Sequence, residues 1–215
     1  MTMTPIPIET RHRKHLSSMR SWLDGRQYYM AADALEVVRK EFQGVRKDKR
    51  TPQLHHPLSV ARLLGTLLPS LLHPEETLVS SFLHDLPEDK GKEWTRERVE
   101  ARYNKRVGDA VWKLTKKSNG LIKSPELYYG EMATDPIASV VKLADRCHNL
   151  ATMEGVHSYE KQGAYAGEVE ENFLPMLRTA RREFPQQYAA YANLEILLSV
   201  EVRLIGQILA LAPRP

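Results

Sequence analysis

The sequence contains a single cysteine, Cys147, among its 215 residues. One thiol excludes an internal disulfide framework and is typical of a protein that works in a reducing compartment, so we expect a cytoplasmic location. Residues 1–14 contain no apolar stretch followed by a cleavage site, and a secretory signal is therefore not expected. No apolar run approaches the roughly 18 to 20 residues that a membrane-spanning helix needs. We expect no membrane association.

The sequence also lacks a strong excess of charge of either sign. Thirty-one basic residues stand against 27 acidic ones, which leaves a formal net charge of +4. Two basic clusters, at 11–14 (RHRK) and 45–50 (VRKDKR), are interrupted or surrounded by acidic and polar residues. No motif of a known nucleic-acid reader accompanies them, so nucleic acid is not an expected partner. We interpret RHRK as solvated surface charge.

Alternation of apolar and polar residues with a period of two, which is typical of β-strands, is absent beyond a few residues. Apolar residues instead recur every three or four positions, which is typical of helices, in the segments 57–72, 78–86, 107–114, 137–144 and 159–211. The last segment predicts long helices broken near Phe184-Pro185. The sequence therefore predicts an all-α protein with one domain of about eight to ten helices over residues 26–215. For residues 1–25 we expect a loosely structured segment.

The stretch FLHDLPEDK, residues 82–90, places one histidine and three carboxylates at the end of an apolar helix. Asp85 follows Leu78 by seven residues and Phe82 by three, so it shares the helix face that those residues bury. Asp145 lies inside a second apolar run and also points inward. Two carboxylates in one small core repel each other, and a divalent cation removes the conflict.

Histidines at suitable places complete a set of metal ligands. His84 precedes Asp85 directly, and His56 stands before a proline at a helix start. Two imidazoles and two carboxylates suit Mn²⁺, Fe²⁺ or Zn²⁺ better than Mg²⁺, which prefers oxygen ligands. Each residue alone has a simpler explanation, because His56 suits a helix cap and Lys142 or Arg146 could neutralise a buried aspartate. The order His, then His-Asp 28 residues later, then Asp 60 residues further on favours the metal site.

The ordered set His56, His84-Asp85 and Asp145 resembles the HD phosphohydrolase superfamily. Within it the chain is similar to the hydrolase domain of Rel/Spo-type alarmone enzymes, especially the stand-alone small alarmone hydrolases. The similarity covers roughly residues 28–185. The matching strings are RKDKRTPQLHHPLSVARLL (46–64), FLHDLPED (82–89), YNKRVGDAVWKLTKK (103–117) and VVKLADRCHNL (140–150).

The resemblance implies an HD-type helical domain with a C-terminal helical extension. It implies a hydrolase of the stringent response that acts on a guanine nucleotide alarmone. The enzyme would remove the 3′-pyrophosphate of guanosine tetra- or pentaphosphate, (p)ppGpp, and release GDP or GTP. It further implies one Mn²⁺ per chain, bound by His56, His84, Asp85 and Asp145.

The resemblance also implies roles for residues around the metal. Glu88 and Asp89 would position and deprotonate the attacking water. Arg46, Lys47 and Asp48 would hold the nucleobase, and Asn149 would bind the ribose region. From charge alone, the cations suited to neutralise pyrophosphate are Lys116, Lys117, Lys142 and Arg146. Pro87 stands inside the HD…ED spacing and disfavours helical geometry at Leu86, so we expect Glu88 and Asp89 on a turn.

Two alternative functions stay open from the sequence. The same site could serve as a phosphatase of another nucleotide, such as an adenosine alarmone or NADPH. A non-catalytic alarmone-binding or toxin-neutralising module is the other alternative, although such a module would be expected to lose the ligand set or the Glu-Asp pair, and both are intact. The oligomeric state also stays open between a monomer and a homo-oligomer.

Overall fold

The computed structural model of the protein describes residues 8–118 and 120–211. In chain order its α-helices are α1 (Ile8–Gly25), α2 (Tyr29–Glu41), α3 (His55–Gly65), α4 (Pro74–Leu83), α5 (Leu86–Asp89), α6 (Arg96–Arg102), α7 (Lys105–Leu114), α8 (Pro125–Ala133), α9 (Pro136–Ala151), α10 (Tyr159–Glu168), α11 (Leu174–Glu183) and α12 (Tyr188–Leu211). Shorter elements are 3₁₀ turns at Leu68–Ser70 and Pro185–Gln187, a π-helical turn at Val169–Phe173, and the strands β1 (Lys117–Ser118) and β2 (Leu121–Ile122), which pair antiparallel. The predicted all-α class is confirmed.

The described residues form more α-helical segments than the expected eight to ten, for two local reasons. Pro87 lacks an amide proton and its ring clashes with the carbonyl four residues earlier, so α4 ends at Leu83 and the single turn of α5 is separate. A π-helical turn divides α10 from α11, although the chain runs on through it in helical conformation. The predicted break near Phe184-Pro185 is confirmed, since α11 ends at Glu183 and α12 begins at Tyr188.

Most helices of the central part begin with a side chain that caps the first turn. The capping residues accept hydrogen bonds from backbone amides two or three positions ahead, which satisfies donors that the helix itself leaves unpaired. These residues are Thr95 before α6, Asn104 before α7, Ser124 before α8, Asp135 before α9 and Ser158 before α10. Proline is the first residue of α4, α8 and α9, a position that needs no amide donor. The sequence therefore sets these helix starts locally.

Helix α9 is the centre of the domain. It packs against α3, α4, α7, α8, α10, α11 and α12. Eleven of its sixteen residues are buried, and they include the polar side chains of Ser139, Asp145 and Arg146. A helix surrounded on nearly all sides holds its side chains in fixed positions. Any polar group that α9 carries into the core is therefore held rigidly.

One face of α9 packs on α12. The Ser139 hydroxyl lies 2.8 Å from the Tyr191 hydroxyl, and the Cys147 thiol lies 3.9 Å from the Leu194 carbonyl oxygen. Burial raises the pKa of the Cys147 thiol to about 12. Among the described helices, α12 included, none is both long and apolar enough to cross a membrane.

Helix α1 differs from the loosely structured segment that we expected for residues 1–25. Over Ile8–Gly25 the chain is helical and packs on α2 and α3, with Met19 and Leu23 in the core. The spacing of Leu16, Met19 and Leu23 explains this, since three- and four-residue steps give the helix one apolar stripe. Residues 1–7 of the expected segment lie outside the described residues.

We predict that Leu23→Ala destabilises the domain by about 2–5 kcal/mol, because it leaves a cavity where a fully buried side chain packed. Urea unfolding followed by circular dichroism measures the change. Ser17→Ala, an exposed position on the same helix, is the control and should leave the free energy of unfolding unchanged. An unchanged midpoint for Leu23→Ala would show that α1 is not part of the cooperative unit.

Candidate metal centre

Three helices bring three metal-type ligand atoms together in the core. His56 is the second residue of α3, His84 follows the end of α4, and Asp145 lies in α9. The Nε2 atom of His56 is 3.1 Å from Nε2 of His84 and 3.0 Å from Oδ1 of Asp145. The His84 Nε2 atom is 3.7 Å from the same carboxylate oxygen. All three residues are buried.

Hydrogen bonds from the far sides of both rings aim their Nε2 atoms at the cluster. The Nδ1 atom of His84 is 2.8 Å from the Ser81 carbonyl oxygen, which can only accept, so Nδ1 carries the proton. The Nδ1 atom of His56 is 2.9 Å from Nδ1 of His148. Burial, followed by the nearby His56, lowers the pKa of His148 to about 3, so this ring is neutral and its Nδ1 can accept. Such partners fix the ring orientation of ligating histidines.

The Asp145 carboxylate is held by two residues of its own helix. Lys142, three residues earlier, donates to Oδ2 at 2.8 Å, and Asn149, four residues later, donates to Oδ1 at 2.7 Å. Burial works against ionisation of Asp145, but the Lys142 ammonium and the two imidazoles outweigh it and hold its pKa well below the usual range. The carboxylate is therefore ionised, with Oδ1 facing the histidines.

Asp85 stands on the solvent side of the cluster. Its Oδ1 lies 3.3 Å from Nε2 of His84 and its Oδ2 lies 3.6 Å from Nε2 of His56. The side chain is about half exposed, in contrast to the buried His56, His84 and Asp145. Burial lowers the tendency of His84 to take a proton, yet Asp85 and Asp145 together raise its pKa to about 9. The negative charge of these two carboxylates beside the imidazoles thus favours the binding of a cation.

The four residues fit a divalent metal ion. Ligands at about 2.1 Å from a metal and at right angles to one another lie about 3.0 Å apart, and tetrahedral ligands lie about 3.4 Å apart. The separations of 3.0, 3.1 and 3.7 Å in the buried cluster are close to this range. Two imidazole nitrogens with carboxylate oxygens suit Mn²⁺, Fe²⁺ or Zn²⁺. His56, and not the adjacent His55, supplies the imidazole.

A cleft of about 680 Å³ opens from the cluster to the surface. The sequence-predicted site residues on its wall are Arg46, Lys47, Asp48, His56, Asp85, Glu88, Asp89, Lys142, Asp145 and Asn149. Arg46 is half-buried, and burial lowers the pKa of its guanidinium, although Asp85 and Asp145 counteract the effect. The cleft is therefore lined both by the carboxylates of the cluster and by a basic loop.

Asp48 shapes the loop that carries Arg46 and Lys47. Its carboxylate accepts hydrogen bonds from the Thr51 hydroxyl and from the backbone amides of Arg50 and Thr51, and these bonds lower its pKa to about 2. The Arg46 amide in turn donates to the Thr51 carbonyl oxygen at 2.8 Å. With both carboxylate oxygens used inside the loop, Asp48 fixes the loop conformation.

Glu88 and Asp89 lie on the one-turn helix α5, which replaces the turn that we expected after Pro87. Glu88 accepts a hydrogen bond from the backbone amide of Lys116, and Asp89 accepts one from the Gln53 side chain at 3.2 Å. Burial, with the nearby Asp85 and Glu88 carboxylates, raises the pKa of Asp89. Both carboxylates reach the cleft, and each is held by a neighbour.

Three of the cations selected from the sequence have other partners. Lys116 is not among the cleft-lining residues, and its ammonium lies 5.7 Å from the centre of the Tyr128 ring. Lys142 is bound to Asp145, although it also lines the cleft. Arg146 lines the cleft too, while its guanidinium pairs with Glu168 and lies 4.6 Å from the Tyr165 ring centre.

The sequence reasoning missed residues that complete the site. His148 orients His56, and Met153, Val156 and Tyr165 add an apolar wall to the cleft. His148 could have been found, because it follows Asp145 by three residues and so lies on the same face of α9. The apolar wall comes from residues after α9 and from α10, and no local spacing relates them to the ligands.

The stretch that contains the candidate ligands is similar to known proteins. The HD domain model matches residues 54–150, which contain all four candidate ligands. The chain is 33% identical over 151 residues to a probable GTP pyrophosphokinase of Mycobacterium leprae, a match that covers 66% of this chain and 18% of the relative. It is 33% identical over 139 residues to a probable guanosine-3′,5′-bis(diphosphate) 3′-pyrophosphohydrolase of Synechocystis, covering 61% of this chain and 17% of the relative. The matches thus span less than a fifth of these relatives' length.

We predict that Asp145→Ala abolishes binding of a divalent metal, because it removes the only buried carboxylate of the cluster. Metal content after equilibration with Mn²⁺ and gel filtration is the measurement. Asp24→Ala, which removes an exposed aspartate from α1, serves as control and should keep the full metal content. The alanine variant leaves Lys142 without its partner. The second test is therefore Asp145→Asn, whose amide oxygen can still accept a hydrogen bond from Lys142. Stoichiometric metal in both Asp145 variants would exclude Asp145 as a ligand.

We predict that His148→Ala weakens metal affinity by about 10- to 100-fold without abolishing binding, as expected for a residue that orients a ligand. Competition with a metal chelator measures the affinity. The matched control is His73→Ala, a half-buried histidine directly before α4 and away from the cleft. An affinity equal to that of the unmodified chain would show that the His56 ring keeps its orientation without His148.

Proposed function

This chain belongs to the HD superfamily, and from that membership and the geometry of its cleft we propose that it is a (p)ppGpp 3′-pyrophosphohydrolase. In this proposal it cleaves the pyrophosphate from the 3′ position of a guanine nucleotide alarmone and releases GDP or GTP. The metal is Mn²⁺, one per chain, held by His56, His84, Asp85 and Asp145. The enzyme works in the cytoplasm, as the single buried cysteine suggests.

One observation carries the proposal: the buried ligand cluster opens into the same cleft as two further carboxylates and a basic loop. The cluster contributes two histidines and Asp145, and Glu88 with Asp89 lies on the wall beside it. Arg46 and Lys47 line the same cleft. A phosphate ester hydrolase needs these three elements, namely a metal site, a proton acceptor and cations for the phosphate or the base.

The residues of the cleft have separate roles in the proposed reaction. When bound, the metal supplies a Lewis acid that makes a water molecule easier to deprotonate. Glu88 and Asp89 then orient the attacking water and accept its proton. The pKa of Asp89 lies above its usual range, which favours proton uptake. Lys142 keeps Asp145 ionised and aimed at the histidines.

Substrate binding is assigned to other residues that line the cleft. The Asp48 hydrogen bonds hold the loop in place, so the half-buried Arg46 guanidinium is held ready to stack on a purine base. Lys47 is exposed and can meet a phosphate. The Asn149 amide nitrogen is used by Asp145, which leaves the amide oxygen to accept from a ribose hydroxyl. Lys116, which was assigned to the substrate from the sequence, is proposed to act only through its amide contact to Glu88.

The test is liquid chromatography of products after incubation of the purified chain and Mn²⁺ with a panel of nucleotides. We expect pppGpp or ppGpp to yield GTP or GDP with pyrophosphate. The panel includes adenosine alarmones and NADPH, the substrates of the alternative phosphatase. Conversion of one of those alone would reassign the substrate but keep the site. Binding of ppGpp with no product from any nucleotide would favour a non-catalytic module.

We predict that Glu88→Gln combined with Asp89→Asn keeps the metal and nucleotide binding but lowers turnover by a factor of about 10² to 10⁴, the usual worth of positioned proton acceptors. The amides can still accept from Lys116 and Gln53, so the fold should hold. The raised pKa of Asp89 also predicts that activity falls as acidification protonates it, and the double variant should lose this acidic limb.

A matched control changes two other adjacent acids, Glu170→Gln with Glu171→Gln, which are exposed and far along the chain. It alters the net charge equally and should leave turnover unchanged. Hydrolysis at the unmodified rate by the Glu88/Asp89 variant would remove both residues from the mechanism.

A further inference from the structure

Arg146 carries a buried positive charge in the wall of the cleft, directly after the candidate ligand Asp145. Its side chain is only 7% exposed. The Cζ atom lies 4.6 Å from the centre of the Tyr165 ring and 4.4 Å from the centre of the Phe173 ring, and Nη2 donates to the Glu168 carboxylate. We call Tyr165, Glu168 and Phe173 the Arg146 cage.

The guanidinium is held by the cage and is not free to bind a ligand. Its Nε and Nη1 atoms are buried and find no hydrogen-bond acceptor among the described residues. The two rings compensate in part, because a cation near an aromatic ring is attracted by the ring's charge distribution, and more strongly where water is excluded. Two of the three nitrogens are thus out of reach of a phosphate, and the third is bound to Glu168.

The π-helical turn after α10 explains how both rings come to face Arg146. The Leu174 amide donates to the Val169 carbonyl oxygen five residues earlier, instead of four. In a regular α-helix, residues eight apart lie roughly 80° from each other around the axis. The π turn takes up one extra residue, so Tyr165 and Phe173 are placed like residues seven apart, within roughly 20° of each other.

The cage connects the core of the domain to one wall of the cleft. On the core side, the Tyr129 hydroxyl donates to Glu168 at 2.7 Å, which ties the cage to α8. On the other side, Tyr165 lines the cleft together with His157, and their ring centres lie 5.9 Å apart. Arg146 therefore contacts this wall from the rigid helix α9.

We propose that Arg146 is a positioning residue that fixes the Tyr165 wall of the cleft for nucleotide binding, and that it acts through the cage without binding the substrate phosphates. This role replaces the neutralisation of pyrophosphate that its charge alone suggested. The inference rests on the proposed function, because that function makes the cleft a nucleotide site.

Arg146→Lys tests the role, since lysine keeps the charge and can pair with Glu168 but offers no planar group to stack between two rings. We expect KM for ppGpp to rise by a factor on the order of 10, with kcat and metal content nearly unchanged. The matched control is Arg181→Lys. Arg181 also pairs with a glutamate, Glu195, and lies 5.9 Å from the Tyr188 ring centre, but it does not line the cleft. This control should keep the KM of the unmodified chain.

A double-mutant cycle separates action through the ring from direct contact with the substrate. If Arg146 acts through Tyr165, then Arg146→Lys combined with Tyr165→Ala should have the same KM as Tyr165→Ala alone. Effects that multiply would show that Arg146 contacts the substrate itself, and would overturn the proposal. An unchanged KM in Arg146→Lys would overturn it as well. Circular dichroism checks that each variant is folded.

Hydrogen exchange tests the positioning without any nucleotide. Amides of residues 159–168 should lose protection in Arg146→Lys and keep it in Arg181→Lys, because only the first variant releases α10. Equal protection in both variants would refute the proposed role of Arg146. If the unmodified chain converts no nucleotide and yet Arg146→Lys loses protection in α10, the proposed function alone fails and the positioning of the wall stands.

Discussion

The site depends on keeping one ionised carboxylate, that of Asp145, inside the core of the domain. Taking such a charge out of water costs several kcal/mol unless partners replace the lost hydration. Lys142 and Asn149 bind the two oxygens from the same helix, and His56 and His84 approach from two others. The partners of the Asp145 carboxylate thus come from three helices, α3, α4 and α9, which meet at this residue. A bound metal ion would add the remaining positive charge.

Helix α9 serves both as the core of the fold and as the support of the site. Its apolar residues pack against seven other helices, and this packing fixes the positions of the polar residues among them. The other walls of the cleft are the Arg46–Thr51 loop and α5. Asp48 and Lys116 hold these parts by hydrogen bonds. The rigid candidate ligands and the tethered carboxylates of Glu88 and Asp89 together give a preorganised cleft, which the proposed positioning of a water molecule requires.

Much of the fold could be predicted, because helical spacing and proline or capping residues act locally. The meeting of His56, His84 and Asp145 in the core could also be predicted, since an aspartate inside the apolar run of α9 demands an explanation. The inward direction expected for Asp85 was wrong, because its side chain is about half exposed. The simpler explanation, that Lys142 pairs with Asp145, is true at the same time, because one carboxylate oxygen serves the lysine and the other faces the histidines. The loop role of Asp48 and the lining by Tyr165 could not be predicted, because both depend on contacts that spacing does not encode. The packing of α1 on α2 and α3 was not predicted, although the apolar stripe of Leu16, Met19 and Leu23 can be read from the sequence.

The burial of Cys147 between α9 and α12 has a practical consequence for spectroscopy. A thiol with a pKa of about 12 and 5% of its surface exposed hardly forms the thiolate that alkylating reagents attack. A cysteine introduced on the surface would therefore react alone, with the native residue left in place. Spin labels or fluorophores could thus be attached to single chosen sites on α5, the Arg46 loop or α12 without first removing Cys147.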